Sequence, residues 1–298
     1  METFLISYEQ PVIRPPSEAD ALILQATLGC SHNRCAFCFT YANKRFRARP
    51  REELLAEIEW AGRELGGRVR KVFLADGDAL ALSTGRLAEI LEQLRRAFPR
   101  LRRVSAYATP GNFARKSVAE LERLRRDGLV QLYVGFESGD DEILRRVHKG
   151  VTHDEMVELC RKPVEAGIKL SATIVLGLGG PRLSARHAEE SARLIDEIRP
   201  RFASALSLML EPGSDRYSRR FGDPSWRELT PREFLEELRM LVAAVEADGV
   251  IFRANHASNF LPIGGTFQKG KAKMLDEIDE VLGDPDLAGA RPDFMRLL

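Results

Sequence analysis

Cys30, Cys35 and Cys38 lie within the nine residues Cys30-Ser31-His32-Asn33-Arg34-Cys35-Ala36-Phe37-Cys38, and the whole chain has only four cysteines. Three thiols at C-x4-C-x2-C spacing suit a metal centre better than a disulfide framework. Three is also one ligand short of a closed tetrahedral site. A structural zinc would close it with a fourth residue such as His32. An iron–sulfur cluster would keep one iron open for an exogenous ligand. Redox-labile surface thiols are the third reading. The loop follows the apolar, strand-like run 21–28, which places it at the carboxyl end of a strand, where α/β folds carry their chemistry.

Further polar groups stand at the ends of later strand-like runs. Asp76-Gly77-Asp78 follows the second, with carboxylates suited to an ammonium and a glycine that permits close backbone approach; an ordinary β-to-α turn is the plain alternative. Glu137-Ser138-Gly139 ends the fourth and leads through 140–148 to Lys149 and Gly150. Thr173 lies four residues before Gly177-Leu178-Gly179-Gly180. Such a glycine-rich end would cradle a phosphate, but no P-loop lysine follows. Tyr107 and Thr109 end the third run, with packing an equal reading for Tyr107. The basic run Lys44, Arg45, Arg47, Arg49 and Arg51 reads as a clamp for a carboxylate or phosphate, or as a solvated loop. Asn255, His256, Ser258 and Asn259, after Arg253, form a last polar group that would line a substrate site or serve structure. Cys160 sits among Met156, Val157 and Val164 at helical spacing and reads as buried, leaving no spare thiols for a second cluster.

The elements that position these groups alternate. Strand-like runs at 21–28, 69–75, 104–109, 129–136, 168–178 and 202–210 are separated by helical patterns, among them Leu54, Leu55, Ile58 and Ala61 before Gly66-Gly67. Thr152 and Glu155 form a capping box, and Thr230-Pro231-Arg232-Glu233 opens another helix. Six such units predict an α/β fold with a parallel sheet, short of the eight repeats of a full barrel. The proline-bearing residues 1–19 read as an N-terminal arm, 20–211 as the core, and 212–298 as a helix-rich C-terminal extension capping it, with a strand over Ile251–Ala257 and a helix near 268–282.

Composition sets the outer bounds. With 298 residues, 44% apolar and 30% charged, the chain can bury a sizeable core. A net charge of +1 gives no argument for nucleic acid or an anionic membrane. No run approaches the ~18 apolar residues of a spanning helix, and the first residues lack a signal-peptide pattern. A reducing cytoplasm is the expected home.

With its last two cysteines in Cys-x-aromatic-Cys form around Phe37, the loop resembles that of the radical S-adenosylmethionine (SAM) superfamily. The first spacing differs, C-x4-C here against the usual C-x3-C. The resemblance implies a partial (β/α)6 barrel over residues 20–211. It implies a 4Fe–4S cluster on Cys30, Cys35 and Cys38 whose open iron chelates SAM. Asp76, Gly77 and Asp78 stand where that family has the Gly-Gly-Glu that holds the methionine amino group. The stretch from Glu137 is similar to the branch of coproporphyrinogen dehydrogenase-like and methylthiotransferase enzymes. There the residue at Glu137 contacts the ribose or amino group of SAM, and the basic residue at Lys149 pairs with its carboxylate. Thr173 is expected at the ribose and the Gly177 backbone at the adenine. The activity implied is reductive cleavage of SAM to a 5′-deoxyadenosyl radical that abstracts hydrogen from a small-molecule substrate, with flavodoxin or ferredoxin as reductant and no membrane or nucleic-acid partner. A zinc-stabilised binding protein and a non-catalytic SAM- or haem-binding relative are the other readings.

Overall fold

In a computed structural model, residues 6–210 and 215–296 are described. Residues 211–214, at the expected end of the core, lie outside them. The chain divides into two compact units. One comprises the chain up to Asn33, Cys38–Val134 and Leu159–Leu170; the other comprises Arg34–Phe37, Gly135–Glu158 and the chain from Ser171 on.

The first unit holds β1 (Leu22–Gln25), β2 (Thr27–Leu28), β3 (Arg47–Ala48), α1 (Arg51–Leu65), β4 (Lys71–Ala75), α2 (Thr84–Ala97), β5 (Arg103–Ala108), α3 (Pro110–Ala114), α4 (Val118–Arg126) and the start of β6 (Leu129–Glu137). Strands β1, β4, β5 and β6 run parallel in that order, Leu24 opposite Leu74, Leu74 opposite Ala106, and Ala106 opposite Leu132. Val72 to Ala75 are all buried, the continuous apolar run of a strand covered on both faces. Leu87, Ile90, Leu91 and Leu94 put the buried stripe of α2 at helical spacing, and Ser83 caps its start. Burying one such side chain stabilises the unit by roughly 1.5–3 kcal/mol. The antiparallel pair β2–β3, with Thr27 opposite Ala48, brings the two ends of the cysteine-bearing segment together.

The second unit holds α5 (Asp141–Arg146), most of β7 (Lys169–Leu176), α7 (Gly180–Ile198), β8 (Phe202–Ser207), α8 (Arg216–Phe221), α9 (Pro231–Ala244), β9 (Ile251–Arg253), β10 (Gly264–Thr266) and α10 (Lys271–Gly283); α6 (His153–Glu165) crosses the boundary. Strands β7, β8 and β9 are parallel and β10 returns antiparallel. Along β8 burial alternates: Ala203 and Ala205 are buried, while Phe202, Ser204 and Leu206 form a more open face. Phe252 continues the buried side and Ile251 and Arg253 the open one. Helix α9 starts with the expected Thr230–Glu233 capping box, packs on α7, and carries α10 against it. All six expected strands form. The strand from Ile251 ends at Arg253, because Asn259 folds back to accept from the Ser207 amide (2.7 Å) and to donate to Ala205 O and Ala254 O. That spends Asn259 on structure.

Candidate active site

The segment Asp76-Gly77-Asp78 leaves β4 and grips the residues on both sides of Cys30. Asp76 accepts from the Gly29 amide at 3.1 Å, and Asp78 accepts from the Ser31 amide at 2.9 Å and from its hydroxyl. Between them the Gly77 amide donates to Gly29 O at 3.1 Å. A Cβ at Gly77 would stand 2.7 Å from the Cys30 Cβ, so only glycine lets the two chains approach this closely. Asn112 adds a third donor to Asp78 at 3.2 Å. Burial pushes the Asp78 carboxyl above its ordinary pKa, against the pull of the Ser31 and Asn112 bonds.

Asp76 is wholly buried and saturated. It also accepts from Gln25 Nε2 at 3.1 Å and pairs with Lys44 Nζ at 2.9 Å. Lys44 further donates to Glu9 O and Pro11 O. Within the basic run Arg47 pairs with Glu9, Arg49 with Glu57 and Arg51 with Glu89, while Arg45 is exposed. Tyr107 packs edge-on against Phe73, with ring centres 5.0 Å apart, in a core of aromatic side chains.

In the second unit the segment Arg34–Phe37 is fixed on both sides of Cys35. Arg220 donates to Arg34 O at 2.6 Å, and the Ala36 amide donates to Val147 O at 2.9 Å. Phe37 is half-buried. None of the four cysteines is in a disulfide, and Cys160 is buried as expected. Among the described residues no three His, Cys, Asp or Glu side chains are already gathered as a metal site.

Glu137 ends β6 with φ +68°, and its carboxylate folds back over Gly135 to meet Lys149 Nζ at 3.1 Å. A Cβ at Gly135 would lie 1.9 Å from Glu137 Oε1; the missing side chain is the space the carboxylate occupies. Both charged groups are largely buried, 12% and 7% exposed, so their charges are weakly screened and held in place.

The end of β7 is held by two residues that the sequence reading missed. Glu237 of α9, fully buried, accepts from the Gly177 amide at 2.7 Å and from the Ser184 hydroxyl. His187 of α7 meets Ser138 Oγ at 2.8 Å and Val175 O at 3.0 Å, and its Nε2 lies 3.6 Å from Glu237. One buried network thus joins Ser138, next to Glu137, to Gly177. Thr173 Oγ1 lies 3.2 Å from Ser204 Oγ on the open face of β7 and β8. The signal for the missed pair was present. Glu237 interrupts the apolar stripe Phe234, Leu235, Leu238 and Leu241, and Ser184, His187 and Ser191 share one helical face.

Residues 24–195, more than half of the chain, match the radical SAM superfamily, and the chain belongs to that superfamily. The heme chaperone HemW of Bacillus subtilis is 23% identical over 66% of this chain and 51% of its own length. A tRNA-2-methylthio-N(6)-dimethylallyladenosine synthase of Anoxybacillus flavithermus is 25% identical over 72% of this chain and 40% of its own. The chain spans about half the length of the curated relatives it matches or less. Among solved structures, coproporphyrinogen III oxidase (HemN) of Escherichia coli superposes with a TM-score of 0.59 at 20% identity, covering 75% of this chain and 51% of that one. These relatives come from the branch that the Glu137–Lys149 stretch resembles, and the α/β fold is that of the superfamily.

The superfamily's cofactors are a 4Fe–4S cluster and SAM, and the residues present fit them. Three unbridged thiols in one short segment are the donor set of a cluster with one open iron. Gly77 leaves the close approach to Cys30 that a side chain would block. An external reductant and a substrate complete the requirements of such chemistry. No helix among the described residues is long and apolar enough to cross a membrane.

Proposed function

We propose that the chain is an enzyme that cleaves SAM reductively to abstract hydrogen from a small molecule. A reduced cluster held by these cysteines would supply the electron for reductive cleavage of SAM. The chain's own residues bind and orient. Cys30, Cys35 and Cys38 are the cluster ligands, and Phe37 shields the segment between the last two. Asp76, Gly77 and Asp78 hold the backbone around Cys30, with the Gly77–Asp78 turn facing the methionine end of SAM. Glu137 and Lys149 offer opposite charges 3.1 Å apart, the complement of an amino-acid zwitterion. Thr173 takes the ribose and the Gly177 backbone the adenine. Flavodoxin or ferredoxin is the reductant.

The observation that carries this reading is the grip of Asp76-Gly77-Asp78 on both neighbours of Cys30. A turn with no task would not need two buried carboxylates bonded to the residues on either side of one cysteine. Zinc completed by His32 would leave the Glu137–Lys149 and Gly177 strand ends without a common purpose. The test is anaerobic reconstitution with iron and sulfide, then dithionite and SAM, with 5′-deoxyadenosine read by mass spectrometry. Deoxyadenosine that disappears in Cys35→Ser supports the enzyme. A loaded cluster that leaves SAM intact while the protein takes up haem would favour a chaperone role like that named for HemW.

Gly135→Ala tests the binding half separately. The added methyl displaces the Glu137 carboxylate, a flexible group, so the fold is expected to survive. Losing a charge-assisted contact worth about 1.5–3 kcal/mol should weaken SAM roughly 10- to 100-fold by equilibrium dialysis, with iron content unchanged. Unchanged SAM affinity would remove Glu137 from the site.

A further inference from the structure

The register of the second unit places Thr173, Ser204, Arg253 and Gly264 opposite one another across β7, β8, β9 and β10. Thr173, Ser204 and Arg253 stand on the open face of the parallel strands, where Phe202 and Ile251 are half-buried. Two strand spacings separate Thr173 from Arg253, about 10 Å. Beside Arg253 lies a cavity of about 430 Å³, lined by Ile251, Asn255, Ile263, Gly264 and Thr266 as well as the arginine.

Among the described residues the Arg253 guanidinium makes no hydrogen bond or ion pair, and the Asn255 amide makes none either. This sets Arg253 apart from the other arginines near this end of the chain. Arg291 donates to the carbonyls of His256, Ala257 and Asn259, and Arg296 to those of Ser258 and Leu208. Those two hold the segment 256–260 in place. Arg253 is held by its strand and left with its whole donor fork available. Polar and apolar groups share the lining of this open cavity, and Arg253 and Asn255 are the polar side chains that would fix a ligand's orientation.

We propose that Arg253, with Asn255, anchors an oxyanion of the substrate, a carboxylate or a phosphate ester, on the strand face that carries Thr173. This rests on the reading that Thr173 stands at the ribose of SAM. The anchor would then hold the charged end of the substrate about two strand spacings from the sugar, with the apolar remainder over Ile251 and Ile263. A planar fork binds either oxyanion through two parallel N–H bonds, so the shared chemistry is what the geometry selects.

The test uses reconstituted protein with SAM and three matched fluorine probes read by 19F NMR: 4-fluorobenzoate, 4-fluorophenyl phosphate and neutral 4-fluorobenzamide. At least one anion is expected to bind tenfold or more tightly than the benzamide, and Arg253→Gln to abolish that preference. Arg253→Lys, which keeps the charge but not the fork, should retain part of any phosphate-ester binding and little of the benzoate. Preference for one anion identifies the source of the oxyanion. SAM affinity, read in the same samples by equilibrium dialysis, should change less than twofold in both variants. No anion preference in protein that binds SAM, or a preference that survives Arg253→Gln, overturns the proposal alone. Wild-type protein that binds no SAM overturns the reading beneath it.

Discussion

Gly77→Ala is expected to strip most of the iron from the reconstituted protein and to reduce SAM cleavage at least 100-fold. The added Cβ would lie 2.7 Å from the Cys30 Cβ and 2.9 Å from Gly29 O. One of these neighbours is backbone, and the other is a short side chain committed to the cluster. Neither can swing aside as the Glu137 carboxylate can. The turn and the cysteine segment must part, which disturbs the Gly77–Gly29, Asp76–Gly29 and Asp78–Ser31 hydrogen bonds together. Overpacking of this kind costs about 1–3 kcal/mol. Because a cluster needs all three thiolates at once, the loss of iron should exceed what that modest destabilisation implies. Iron and sulfide analysis, beside a thermal melt, checks it. A variant that melts like wild type and holds full iron would show that the turn does not brace Cys30.

The second large effect lies at Glu237. Glu237→Leu removes the acceptor of the Gly177 amide and of Ser184, and leaves His187 facing an apolar group. Unsatisfied buried groups of this number are worth roughly 2–4 kcal/mol, and Tm should fall by roughly 5–10 °C. Glu237→Gln behaves differently. Burial holds the Glu237 carboxyl above its ordinary 4.5, opposed by His187, Ser184 and the Gly177 amide. The folded chain therefore keeps that proton longer than the unfolded chain. The stability Glu237 contributes is full below about 4.5 and is lost as pH rises through the raised folded value. Glutamine keeps one acceptor, for the Gly177 amide, presents its NH2 to the Ser184 oxygen, and does not titrate. Relative to wild type, Glu237→Gln should gain stability as pH rises from 4.5 towards 8, measured by urea unfolding. A gap between the two that is independent of pH would contradict the raised carboxyl.

What was legible in the sequence was local. The three cysteines, the six strands and the helix starts at Thr152 and Thr230 each rest on residues a few positions apart, where spacing and periodicity act directly. The partners of Asp76 are not local: Lys44 lies 32 residues away and Gln25 lies 51. Nothing in Asp-Gly-Asp alone says that its first carboxylate is spent on a lysine. The basic run was ambiguous for the same reason, because Glu57 and Glu89 take its arginines only once α1 and α2 are packed. Glu137 and Lys149 were found through a family pattern, while the glycine that makes room for the carboxylate stands two residues earlier, hidden in an apolar strand. Arg253 was legible only as the start of a polar stretch. Its row with Thr173 and Ser204 exists only in the register of the strands.

The most direct test of the central claim is Mössbauer spectroscopy of protein reconstituted anaerobically with 57Fe, recorded with and without SAM. Three cysteine ligands on a 4Fe–4S cluster leave one iron open. One iron in four is expected to change its signal when SAM is added, and Cys30→Ser, Cys35→Ser and Cys38→Ser are expected to lose the cluster while Cys160→Ser keeps it. Four irons that ignore SAM, or a protein that takes up zinc and no iron, would contradict the central claim.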